Sequence, residues 1–244
     1  MTWTALEKIT NTIQNSKVIL PVGSMEQHGP HLPLSTDSII AEYVAVAVSN
    51  KLPSSILFPT LSIGYSLEHS GFPGTVSLTA QTFSSTIMEI AESLSNSGLR
   101  TLIAINGHGG NRGILDSAIT TIKHAHPDLR LYSFTVLDIA REKFKEIRKS
   151  PIGMIGHADE LETSMMLAIR PDLVDMSRAV TQQPTFPMNV SLESEDLTRV
   201  TYAWKAREVT KSGIIGNPKF ATLETGAIVI DYTVQTISRI LDER

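Results

Sequence analysis

Residues 18 to 37 read Val18-Ile19-Leu20-Pro21-Val22-Gly23-Ser24-Met25-Glu26-Gln27-His28-Gly29-Pro30-His31-Leu32-Pro33-Leu34-Ser35-Thr36-Asp37. A short apolar run breaks into Gly and Pro, and in that break stand Glu26, His28, His31 and Asp37. Imidazole and carboxylate are the donors that divalent cations take where no thiolate is offered, and the chain has no cysteine. Such a donor set suits zinc, manganese or iron. Glu26 and His28 are two apart and project the same way if the segment is extended. Asp37 has two readings, a metal ligand or the N-terminal cap of the helix that follows.

Two further stretches carry the same residue types. Asn106-Gly107-His108-Gly109-Gly110-Asn111 follows the apolar run Thr101–Ile105, and its glycines leave the His108 ring room to reach a shared ion. It lacks the spacing of G-x-G-x-x-G and of the Walker sequence, so phosphate binding is the weaker reading. Gly156-His157-Ala158-Asp159-Glu160-Leu161-Glu162-Thr163-Ser164 places a histidine and three acids at a helix start. Glu160 and Glu162 cannot share one helical face, so one carboxylate is expected at the site and the other on the helix dipole. His124 and His126, near an ordinary helix end, favour its negative pole.

These clusters must be held by the elements around them. Val18–Val22 and Thr101–Ile105 read as buried strands, with shorter or weaker ones at 56–58 and 129–137. Helical periodicity covers 39–52, 81–97, 112–125, 138–149, 161–169 and 222–241, with a short amphipathic start at 1–16 and a surface excursion at 179–200. Gly98 is expected as the glycine beyond a helix end. Strand and helix alternate, which predicts a single domain over 1–244, a three-layer α/β/α sandwich with a mostly parallel sheet. Ligands of such sheets bind beyond the carboxyl ends of the strands, where Glu26, His28, Asp37 and His108 fall. At 244 residues, 41% of them hydrophobic and 19% charged, the chain can bury a full core. A net charge of -4 argues against nucleic acid or an anionic membrane surface as partner. No apolar run approaches the roughly 20 residues of a membrane span, and Met1–Lys8 lacks a signal-peptide pattern. A cytoplasmic location is expected.

The ordered motifs Glu26-Gln27-His28-Gly29-Pro30-His31-Leu32-Pro33 with Asp37, Glu68-His69…Pro73-Gly74-Thr75, Asn106–Asn111, His157–Ser164 and Gly216-Asn217-Pro218 resemble the creatininase family, the creatinine amidohydrolases and their relatives. The resemblance implies an α/β/α fold, a two-metal hydrolytic site and a homo-oligomer, a hexamer assembled from dimers. By motif position Glu26 and His108 look like ligands of one metal, His28 of the other, and Asp37 like the bridging carboxylate. Creatininase itself carries a glutamate two residues after the histidine of the Asn-Gly-His loop, completing the second metal's shell. Here that position is Gly110, and Glu162, with Glu160 behind it, is the expected replacement.

The chemistry so implied is hydrolysis of a C–N amide bond by metal-activated water. His157 is the expected proton shuttle to the leaving nitrogen, with Glu160 as a further catalytic group. Ser66, His69 and Gly109 are expected to meet a small amide substrate. The missing glutamate favours a cyclic amide or formamide over creatinine itself. The only tryptophans, Trp3 and Trp204, offer no evident counterpart near His157 to the aromatic residues that close over creatinine. The alternatives are a creatinine hydrolase proper, a peptidase trimming a cofactor-precursor peptide and, in another class, a catalytically silent metal-dependent binding protein.

Overall fold

Four strands, β1 (Lys17–Val22), β2 (Ser55–Leu57), β3 (Thr101–Asn106) and β4 (Arg130–Thr135), pair in parallel in the order β2-β1-β3-β4. The structure is a computed structural model and describes residues 2–12, 16–186 and 203–242. The connecting helices are α1 (Trp3–Thr12), α2 (Thr36–Lys51), α3 (Ala80–Asn96), α4 (Arg112–Ala125), α5 (Val136–Ile147) and α6 (Glu160–Ile169), with the short α7 (Ala206–Val209) and the long α8 (Leu223–Asp242) following.

Period-two alternation along the strands sorts the core into two halves. Val18, Leu20, Val22, Leu102 and Ala104 face Phe83 and Ile87 of α3 and Leu115 and Ile122 of α4. Ile19, Ile103 and Ile105 face the other way, onto α2, α5, α6 and α8 through Ile40, Val44, Phe144, Met165 and Val234. Helices therefore cover both faces of a parallel sheet, the three-layer α/β/α arrangement expected. Pro21 sits in a central strand without conflict. Its carbonyl, and hence its missing N–H, lies on the side where β2 has ended and only Leu61 N–H arrives, at 3.0 Å.

β1 leads through α2 to β2 on one side, and the next crossover, through α3, delivers β3 on the other. The chain thus reverses its direction of travel between β1 and β3, and the loops leaving their carboxyl ends flank a crevice. Val22 pairs with Asn106, and Gly107 N–H donates to Val22 O at 2.9 Å, so both polar loops leave the sheet at the same level.

Several boundaries differ from the sequence reading. α2 begins at Thr36, which puts Asp37 inside its first turn. β4 stops at Thr135, because Val136 and Leu137 are buried as the first turn of α5. In the expected excursion at 179–200, Gln182 bridges to Gly216, while 187–200 lies outside the described residues, as do 13–15 of the amphipathic start. Among the described residues no helix is long and apolar enough to cross a membrane.

Candidate metal centre

The site is made possible by two close backbone approaches. A Cβ on Gly107 would overlap the Asp37 carbonyl, and one on Gly23 would run into the Ser38 backbone. Bare glycines at both strand ends therefore let the first turn of α2 lie directly against the sheet. Ser35 holds the position before that helix and makes no side-chain cap, so Asp37 is free to turn inward. Asp37 Oδ1 lies 3.1 Å from His28 Nε2, and Oδ2 lies 3.1 Å from His108 Nδ1 and accepts from Ser24 Oγ at 2.6 Å. One carboxylate thus joins the loops after β1 and β3, and the capping alternative falls away.

Glu26 is fully buried, and neither of its carboxylate oxygens has a hydrogen-bond partner. Imidazoles surround it instead, His108 Nε2 at 3.2 Å from Oε2, His69 Nε2 at 3.4 Å and His157 Nδ1 at 3.7 Å from Oε1. Three triads hold their donor atoms within 4.8 Å of one another: Glu26 with His28 and Asp37, Glu26 with His69 and His157, and His28 with His157 and Glu162. Orphaned buried carboxylate oxygens facing ring nitrogens are what a cation site requires.

The electrostatics agree. Burial raises the Glu26 carboxyl to about 7 against the pull of His108, and raises Glu162 to about 8 against that of His28. Burial alone would depress His28 and His108, but neighbouring Asp37 lifts His28 to about 10, and Glu26 with Asp37 lifts His108 well above the usual histidine range. Asp37, despite burial, is held well below the carboxylate range by those two rings. Acids that burial makes costly to ionise are groups that a divalent cation compensates.

One residue sets the protons of two histidines. The Gln27 side chain accepts Gly29 N–H at Oε1 (3.0 Å) and donates from Nε2 to Gly213 O (3.0 Å), which fixes its amide orientation. The same Nε2 stands 2.9 Å from His69 Nδ1, so Nδ1 accepts and His69 carries its hydrogen on Nε2, toward Glu26. His157 is set the opposite way. Its Nε2 lies 2.7 Å from the Gln27 main-chain carbonyl, which can only accept, so Nε2 holds the hydrogen and the lone pair of Nδ1 faces the cluster. Burial depresses His69 to about 3 and His157 well below its usual range, so both rings are neutral.

The creatinine amidohydrolase family model matches residues 1–241. The chain belongs to the creatininase family. Members of this family are metal-dependent amidohydrolases, and the buried His and carboxylate cluster is this chain's candidate for such a centre. The creatinine amidohydrolase of Pseudomonas putida is 31% identical over 241 residues, covering 93% of this chain and 88% of that protein. The mycofactocin precursor peptide peptidase of Mycolicibacterium smegmatis is 34% identical over 214 residues, covering 86% and 77%. Among solved structures, a manganese creatininase superposes with a TM-score of 0.84 at 28% identity, covering 100% of this chain and 96% of that one. A zinc–zinc form of a creatininase mutant gives 0.85 at 27% identity, covering 100% and 95%.

Within this creatininase fold most of the expected residues converge: Glu26, His28, Asp37, His108, His157, Glu162 and His69 share the cluster. Ser66 is buried beside it with its hydroxyl unpartnered, and Gly109 is exposed with open space before it. Glu160 is a correction. Its carboxylate is taken by the N–H groups of Lys149 (2.9 Å) and Ser150 (2.7 Å) and by the Ser150 hydroxyl. With about 100° of turn per helical residue, Glu162 facing the cluster puts Glu160 on the far side. The aromatic expectation changes too, since the Trp204 ring stands 6.2 Å from that of His69, edge-on, and 5.6 Å from Phe186. His31 pairs with Thr163 at 2.9 Å, away from the triads.

Gln27 and Asn111 were not singled out in the sequence. Asn111 donates to Gly23 O (3.0 Å) and Asn106 Oδ1 (3.1 Å) and accepts Tyr65 N–H (2.8 Å), tying three loops together. Their only signal was position, inside motifs whose charged neighbours drew the attention.

Proposed function

We propose that this chain, as one domain over 1–244, hydrolyses the C–N bond of a small cyclic amide or formamide, with two divalent ions (zinc, manganese or iron) held by Glu26, His28, Asp37, His108 and Glu162. The observation that carries this reading is the orphaned Glu26 carboxylate inside a ring of histidines. Ions in that position would supply Lewis acidity and water of lowered pKa. The chain's own groups supply the proton traffic. His157 starts neutral, with Nε2–H anchored on Gln27 O and the Nδ1 lone pair turned inward, so Nδ1 can take a proton from the attacking water and return it to the leaving nitrogen. His69 presents Nε2–H, a donor for a substrate oxygen, and stacks against His157 with ring centroids 4.1 Å apart. The Trp204 ring, edge-on to His69, adds an apolar neighbour on the same side.

A peptide substrate is the second reading, favoured by the 34% identity to a peptidase of a cofactor precursor. A homo-hexamer built as a trimer of dimers, and a cytoplasmic location for this cysteine-free chain, belong to the same proposal. The test is turnover of a panel of cyclic amides, formamides and short peptides by the manganese- and zinc-loaded protein, beside His157→Ala. The variant should retain the parent's metal content and lose at least about 100-fold in rate. Full turnover by that variant refutes the assignment of the proton shuttle, and no turnover of any amide by the loaded parent refutes the substrate class.

A further inference from the structure

The segment from Trp204 to Gly213 is pinned to the site at both ends. At its start the Trp204 ring stands 6.2 Å from that of His69. At its end Gly213 O accepts from Gln27 Nε2 at 3.0 Å, and a Cβ on Gly213 would overlap the Gln27 amide. Between these points α7 packs against the 3-10 turn Leu67–His69. Arg207, on α7, reaches the loop that follows His69. Its Cζ lies 3.8 Å from the centroid of the Phe72 ring, and its Nε donates to Gly71 O at 3.2 Å. Phe72 N–H in turn donates to His69 O at 3.4 Å, so the guanidinium rests one turn of chain away from a histidine of the cluster.

Those two contacts fix the guanidinium plane and leave both Nη groups open. Arg207 is exposed, and no carboxylate among the described residues meets it. Arg100, Arg112, Arg141 and Arg170, by contrast, each face an aspartate. The acids near Arg207 are engaged elsewhere: Glu208 accepts Lys205 N–H at 2.9 Å, and Glu68 faces His108 at 3.3 Å. The segment carries the cations Lys205, Arg207 and Lys211 against the single acid Glu208, in a chain whose net charge is -4. We propose that Arg207 is a specificity residue that binds an anionic group of the substrate, so that the amide hydrolysed here bears a carboxylate set apart from its scissile C–N bond. This deepens the amidohydrolase reading above and rests on it. A planar guanidinium offers a carboxylate a two-point fork, and holding it beforehand on an aromatic face lowers the ordering cost of binding. His69 then meets the amide end, and Trp204 and Arg207 meet the remainder of the molecule.

The experiment compares probes alike but for the carboxylate: pyroglutamate with pyrrolidone, and N-formylglycine with N-methylformamide. Trp3→Phe leaves Trp204 as the sole tryptophan, so its fluorescence reports binding without need of turnover. In the zinc-loaded Trp3→Phe protein the charged member of at least one pair should bind at least about tenfold more tightly than its neutral partner. Adding Arg207→Gln should abolish that preference and leave the neutral member's affinity within about twofold, and raised ionic strength should weaken the charged member alone. Where turnover is measured, Arg207→Gln should raise KM for the charged member and leave kcat in place. A parent that binds the charged members no better than the neutral ones overturns the proposal. An Arg207→Gln protein that keeps the preference, as it would if zinc alone held the carboxylate, overturns it too. So does equal weakening of both members, the mark of a residue that only braces the Phe72 loop. A preference that depends on Arg207, with no probe turned over, would keep this binding role and refute the hydrolytic reading alone.

Discussion

Replacing Gln27 by Met keeps the side chain's length and approximate volume and removes every hydrogen bond it makes. Three partners are stranded: Gly213 O, His69 Nδ1 and the half-buried Gly29 N–H. Leaving a buried polar group unpaired costs about 1–3 kcal/mol, and a partly solvated one less, so the sum is about 3–5 kcal/mol. At about 2–4 °C per kcal/mol for a domain of this size, the melting temperature should fall by roughly 6–20 °C. The informative consequence lies in the proton of His69. Without the Gln27 donor nothing holds Nδ1 as the acceptor, and the buried Glu26 oxygen 3.4 Å from Nε2 no longer faces a fixed N–H. His157 is the internal control, because its Nε2 is held by the Gln27 main-chain carbonyl, which the substitution leaves in place. Nitrogen-15 NMR of ring-labelled histidine reads both tautomers directly. The expected result is a His69 signal that leaves the Nε2–H pattern while that of His157 does not move. A His69 spectrum unchanged in Gln27→Met, together with a melting temperature within about 2 °C of the parent's, would refute the claim that Gln27 sets this tautomer.

Three further outcomes follow from the same geometry. Glu160→Gln should destabilise the chain by about 1–3 kcal/mol, by weakening its hold on Lys149 and Ser150, yet leave ions per chain unchanged; loss of an ion would return Glu160 to the centre. Burial depresses His31 to about 4 from 6.5. Between those two values the unfolded chain binds a proton that the folded one refuses, so stability is lost as pH falls from about 6.5 toward about 4. Allowing for partial solvation, that contribution is on the order of 1–2 kcal/mol. Urea unfolding of the parent and His31→Gln at the two ends of that range should show the difference, and parallel pH profiles would contradict it. As proposed ligands, His28 and Glu26 must be deprotonated to take a metal, from values of about 10 and about 7. Binding should therefore release protons, tighten between about pH 6 and about pH 8, and give calorimetric heats that depend on the buffer's ionisation enthalpy. Heats that do not vary with buffer would exclude those two residues as ligands.

By itself the sequence determined the layered fold and the donor set. Period-two and period-3.6 patterns are local, and they survive in the order of residues: Thr101–Ile105 and Arg112–Ala125 appear in the structure almost as read. The donors were legible because His and carboxylate placed in Gly-rich loops after buried strands have few other uses. Only the tertiary structure decided which carboxylates turn inward. Glu160 and Glu162 differ by two positions, and that choice depends on where residues 149 and 150 offer their N–H groups, contacts ten and eleven residues away. The same holds for Glu68, whose carboxylate lies 42 residues before Gly110 in the chain yet occupies its space, for Trp204 beside His69, and for Gln27 between two histidines. A residue's type states which atoms it can offer; what those atoms meet is fixed only when distant loops are packed against one another.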